Sequence, residues 1–166
     1  MKNQYEYTIN STADISKALS EADREGYDLN HYNSVFYLRG SVGKPISVDD
    51  SLTSLDVVAY GPAPVWVSGE DEVKVRAEEN AVVYATEGSL ADAYDSAIVY
   101  AYDRSQVDVS ENASVYVTSD EVIVRAYGDS KVYLPVPGVN GSQAEVHLEG
   151  AARIIRGIPA SLRISN

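Results

Sequence analysis

Seven acids recur through the middle of this chain at a near-constant step: Glu79, Glu87, Asp95, Asp103, Glu111, Asp120 and Asp129. Four tyrosines, Tyr84, Tyr100, Tyr116 and Tyr133, recur at about twice that step. Such ladders of identical groups suit binding an extended surface better than assembling one catalytic site. Tyrosine is favoured at interfaces, and stacked rings also stabilise neighbouring strands by roughly 0.2–1 kcal/mol a pair. Asp is a good turn former and Glu a poor one, so turn chemistry alone accounts for only some of the acids. The glycine-rich calcium nonapeptide is absent, so the acids are not read as a calcium roll. Imidazole chemistry has only His31 and His147 to draw on, in different end regions, and there is no cysteine. The stretch at 40–45, GSVGKP, lacks the spacing of a phosphate loop. The expectation is a non-enzymatic protein with no cofactor and no metal.

The elements that carry these residues follow from the apolar pattern. Val67, Val75, Val83, Ala91, Val99, Val107 and Val115 stand eight apart, and after one inserted residue the series resumes at Val124 and Val132. A parallel series runs through Ala77, Ala85, Ala93, Ala101, Val109, Val117, Ala126 and Leu134. Between them alternate Tyr84, Asp92, Tyr100, Asp108, Tyr116, Arg125 and Tyr133. In Ala97–Arg104, reading AIVYAYDR, the period of two puts Ala97, Val99 and Ala101 on one side and Ile98, Tyr100 and Tyr102 on the other. Asp103, Arg104 and Ser105 then turn the chain. Each octad is thus a short strand and a corner. The inward residues are small enough for two sheets to lie close.

A fixed short period means one unit stacked on copies of itself. Two octads per coil, about 16 residues, set Tyr84 above Tyr100, Tyr116 and Tyr133. A three-sided coil would set Tyr84 above Asp108. The alternative is an antiparallel meander, which would place Tyr100 beside Asp92 and Asp108. The predicted fold is mainly β: a two-sided right-handed β-solenoid with a small N-terminal α/β cap. The acids then divide onto two edges, Glu79, Asp95, Glu111 and Asp129 on one and Glu87, Asp103 and Asp120 on the other. With coils rising by about 4.8 Å, each edge shows a carboxylate roughly every 5 Å. Two edges approach the charge density of a nucleic-acid duplex, about one per 1.7 Å.

Residues 1–45 read as a cap or small domain. A strand with Tyr5, Tyr7 and Ile9 on one side precedes a helix with Ser11 or Thr12 at its start and Gly26 at its stop. Ile15, Ala18, Leu19 and Ala22 make one apolar helix face. Residues 34–39 form a second strand. Residues 46–166 are the solenoid. GPAP at 61–64 and PVPGVNGS at 135–142 break its regularity, and an apolar, basic C-terminal segment ends it as a cap or a homodimer arm.

The net charge of −12 is concentrated in residues 70–130, with 14 acids against four bases. A nucleic-acid binder needs a basic footprint, so direct binding of DNA or RNA is excluded and a basic protein surface is the expected partner. Acidity also keeps proteins soluble and apart. No apolar signal region or membrane-length apolar run occurs, and a cytoplasmic protein is expected.

The stretches AYDSAIVYAYD (93–103), NAVVYATEGS (80–89) and VRAYGDSKVYL (124–134) resemble the A-x-V-x-A-Y-[DG]-[SN] repeats of β-solenoid proteins from phages and mobile elements. The resemblance covers roughly residues 65–135. Acidic phage proteins include nucleic-acid mimics that block restriction, gyrase or CRISPR complexes. The resemblance implies, by analogy, an inhibitor of host defence of the anti-CRISPR kind, with the corner acids and Tyr84, Tyr100, Tyr116 and Tyr133 facing the partner. A structural or adhesive rod is the other expectation.

Overall fold

The computed structural model describes residues 5–29, 34–53, 55–69 and 73–157. Two parallel sheets face each other across a thin core. The first holds eight strands in the order β1 (Tyr5–Ile9), β2 (Ser34–Leu38), β4 (Asp56–Ala59), β6 (Lys74–Ala77), β8 (Leu90–Ala93), β10 (Gln106–Val109), β12 (Ile123–Ala126) and β14 (Glu145–Leu148). The second holds seven: β3 (Ile46–Val48), β5 (Val65–Val67), β7 (Val82–Ala85), β9 (Ile98–Ala101), β11 (Ser114–Val117), β13 (Lys131–Leu134) and β15 (Arg153–Arg156). From β2 onward successive strands alternate between the sheets, so the chain winds as a two-sided β-solenoid of about seven turns. The antiparallel meander is excluded, because every pairing is parallel and joins strands one coil apart.

The core is built from the residue sizes the repeat supplies. Three inward positions per octad are buried: Ala97, Val99 and Ala101 in one, Ser105, Val107 and Val109 in the next. Outward positions between them are half-buried. Larger apolar side chains, Ile9, Phe36, Leu38, Ile46 and Leu52, gather at the N-terminal end, where a helix must be packed.

That helix is α1 (Thr12–Glu25). Asp14 Oδ2 accepts from the Asn10 and Ser11 amides at 3.0 Å, and Gly26, at φ 74°, closes the helix in the left-handed conformation. Ile15, Ala18 and Ala22 are buried and Leu19 packs against the same core. Thr12 Oγ1 accepts the amide of Ser47 in β3, the end strand of its sheet. The helix therefore stands at the first coil where a strand of the second sheet would otherwise be, and it covers an edge that would invite pairing. Cap and rod share one sheet and one core: Phe36 of β2 pairs with Val57 of β4.

Two details of the expected register are corrected. Val65, not Val67, pairs with Val83, because two extra residues lie between Val67 and Val75. Val67 belongs with Ala85. At the C-terminal end, β14 follows β12 with a step of 22, since the loop through 135–144 is longer than an ordinary corner. β14 and β15 end their sheets, and Leu148 is 45% exposed. His31 and the last part of the basic C-terminal segment lie outside the described residues.

Candidate functional site: two ranks of corner carboxylates and a tyrosine ladder

Every regular corner is a four-residue turn closed by a backbone hydrogen bond, as in Ala97 N–H to Tyr94 O at 3.0 Å and Ser105 N–H to Tyr102 O at 3.1 Å. Its second residue has positive φ: 55° at Glu79, 58° at Glu87, 53° at Asp95, 50° at Asp103 and 57° at Glu111. Glycine holds that conformation without strain, whereas another residue gives up about 1–2 kcal/mol. At three of the five, Asp95, Asp103 and Glu111, the side chain does something glycine cannot. Asp95 Oδ2 accepts the Glu79 amide at 2.9 Å, and Glu111 Oε2 accepts the Asp95 amide at 2.9 Å. On the other edge Asp103 Oδ2 accepts the Glu87 amide at 3.3 Å. Each carboxylate reaches back one coil and satisfies a corner amide outside the strand ladder. Glu111, the poor turn former, is explained by this reach.

The structure brings the expected acids into two exposed ranks. Glu79, Asp95 and Glu111 stack on one edge, and Glu87, Asp103 and Asp120 on the other. Asp129 is displaced. The pairing of Ser114 with Lys131 puts Gly128, at φ 62°, one coil above Glu111, with Asp129 next to it in the turn. Asp120 is turned to a different use: its Oδ1 accepts the amides of Gly141 at 2.8 Å and Gln143 at 2.9 Å and pins the long loop.

The tyrosines form a continuous stack on the outer face of the second sheet. Ring centroids are 4.9 Å apart for Tyr84 and Tyr100, 5.1 Å for Tyr100 and Tyr116, and 4.4 Å for Tyr116 and Tyr133, with interplanar angles of 6–18°. Trp66 starts the ladder, 4.4 Å from Tyr84 and 41% exposed. The sequence reading missed Trp66 because it set β5 two residues out of phase; GPAP at 61–64, directly before β5, and the acidic run after Gly69 were the signals of an irregular coil. Burial, and then the neighbouring Tyr100, raise the Tyr84 hydroxyl pKa.

The outer face of the first sheet carries a different chemistry. Lys74 Nζ lies 2.6 Å from Asp92, and Arg125 Nη1 lies 3.2 Å from Asp108. Burial works against the Lys74 charge, but its hydrogen bond to Asp92 and the nearby negative groups outweigh this and raise its pKa. Beside these pairs Tyr94, Ser110 and Tyr127 occupy successive rungs, joined by Ser110 N–H to Ala93 O and Tyr127 N–H to Val109 O at 3.0 and 2.8 Å. His147 Nε2 lies 2.6 Å from Glu145 on exposed β14. Among the described residues no helix is long and apolar enough to cross a membrane. Comparison with family models, curated proteins and solved structures gives no match for this chain.

Proposed function

We propose that this protein is a non-enzymatic binder of a basic protein surface, with the two corner ranks as its contact. The observation that carries the reading is that the corner carboxylates are exposed and that four of them, Asp95, Asp103, Glu111 and Asp120, are fixed in direction by amide hydrogen bonds. A fixed charge gives up little conformational freedom on binding. At about 4.8 Å per coil, two ranks of three present six charges over roughly three rungs. That is comparable to the 6–10 or so phosphates a DNA-binding protein neutralises. A positively charged groove that ordinarily holds nucleic acid is the partner that fits. The resemblance of the repeats to phage solenoids directs the proposal to a host-defence complex, of CRISPR or restriction type, in the host cytoplasm.

The test neutralises the ranks without removing their hydrogen-bond acceptors: Glu79→Gln, Asp95→Asn, Glu111→Gln, Glu87→Gln, Asp103→Asn and Asp120→Asn together. Immobilised wild type should capture nucleic-acid-binding proteins from host lysate. Duplex DNA and high salt should release them, because the Debye length falls from about 10 Å at 0.1 M to about 3 Å at 1 M. The neutralised protein, with an unchanged melt, should capture none. Undiminished capture by it would overturn the reading.

A second reading, a structural or adhesive rod, is favoured by one observation. The final coil leaves Val146 and Ile154 half-buried and Leu148 exposed at the end of both sheets. Concentration-dependent end-to-end association in analytical ultracentrifugation, lost on Leu148→Lys, would support it.

A further inference from the structure

On the first sheet's outer face, Tyr94 and Tyr127 stand two rungs apart with only Ser110 between them. Two strand spacings amount to roughly 9.6 Å. The tyrosines of the other sheet stack at 4.4–5.1 Å. One flat group placed midway would therefore sit against both Tyr94 and Tyr127 at the spacing this fold already uses for stacked rings. The gap opens as a groove of about 190 Å³ lined by Asp92, Tyr94, Asp108, Val109, Ser110 and Tyr127. Small-molecule pockets run to about 300–1,000 Å³, so this space suits a side chain and not a nucleotide.

We propose that this groove is a binding slot for an arginine side chain of a protein partner, its guanidinium sandwiched between Tyr94 and Tyr127 and its N–H groups directed at Asp92 and Asp108. Shape selects a planar group over the round, strongly hydrated ammonium of lysine. Two tyrosine faces attract a cation, and neutral aromatic rings gain nothing from the carboxylates at the rim. A carboxylate offers about four acceptor sites, and Arg125 uses one of those on Asp108. The same column shows the chemistry once within the chain. Tyr60 stands two rungs below Tyr94, and the Arg39 guanidinium carbon lies 4.5 Å from its ring centroid. At the intervening rung between Tyr60 and Tyr94 the gap is occupied by Glu78, paired with Arg76 at 2.9 Å. At Ser110 the side chain is too short to fill it.

The slot deepens the proposed binding of basic surfaces and rests on that reading for its natural partner, but its test does not. Acetyl-arginine methylamide is titrated into the intact protein and followed by the ring resonances of Tyr94 and Tyr127. The lysine and phenylalanine analogues serve as comparisons. Saturable shifts of both rings are expected, with the arginine probe binding about tenfold tighter than either analogue. Ser110→Tyr, which completes the ladder, should abolish the shifts, and Tyr127→Leu should do so if the first variant fails to fold. Neutralising the corner ranks should leave the shifts in place. Equal response to arginine and lysine, tighter binding of the phenylalanine analogue, or a response surviving both substitutions would overturn the slot. Undiminished lysate capture by the corner-neutralised protein, with intact probe binding, would overturn the corner reading alone.

Discussion

Asp95 is held in a backbone conformation glycine would adopt more easily, yet its carboxylate satisfies the Glu79 amide. At Glu87 the φ is also positive, 58°, but among the described residues its carboxylate accepts no hydrogen bond that would offset it in the same way. The two positions therefore predict opposite responses to glycine. Glu87→Gly should leave stability unchanged or raise it by up to about 1 kcal/mol. Asp95→Gly exchanges relief of strain for a lost charge-assisted hydrogen bond, and should be about 1 kcal/mol less stable than Glu87→Gly. Urea midpoints of the two variants read the difference, and the reverse order would contradict the brace. The spacing of the acids was legible in the sequence, but their bonds were not, since a carboxylate reaching an amide 16 positions away is visible only once the coils are stacked. The same limit hid the shift at Asp129: counting acids favoured it, while the turn wanted the glycine beside it.

At the scale of one strand, alternation decides which face a residue joins, and this was readable because inward and outward residues differ so much in size. Val99 is fully buried, and Tyr100 next to it is half-buried between two rings at 4.9 and 5.1 Å. Val99→Asp places an unpaired carboxylate between the sheets and should unfold the protein. Tyr100→Asp should cost about 1–3 kcal/mol for two lost ring contacts, leaving a folded protein. Circular dichroism and thermal melts separate the two, and similar melting temperatures would contradict the register. The irregular coils were less legible. Short β5 carries Trp66 outward and Val65 and Val67 inward, a pattern that fits either phase of the series, and only its pairing with β7 fixes it.

For the whole molecule, stability accrues coil by coil, because each coil touches chiefly its neighbours. Removing residues 95–110 takes out β9 and β10, one full coil, and rejoins Tyr94 to Glu111 in a turn of the same kind. That variant should fold cooperatively, with a urea m-value reduced in proportion to the lost surface. Removing only residues 95–102 sends every later strand to the opposite sheet and should abolish the cooperative transition. Two equally cooperative variants would mean that half-coils are interchangeable. The two-sided winding was foreseeable from the tyrosine period alone. What takes the last coil's edge was not, since no repeat rule applies where the repeat stops.

The aromatic ladder also has an optical consequence. Trp66 is the chain's one tryptophan, and it lies at the end of four stacked tyrosines. The indole has the lowest excited state in that stack. Light absorbed by Tyr133, four coils away, can pass from ring to ring and be emitted at Trp66. The native protein should therefore fluoresce as a tryptophan protein despite its 13 tyrosines. A slip at any intervening coil would return tyrosine emission, so the fold reports its own continuity without a label.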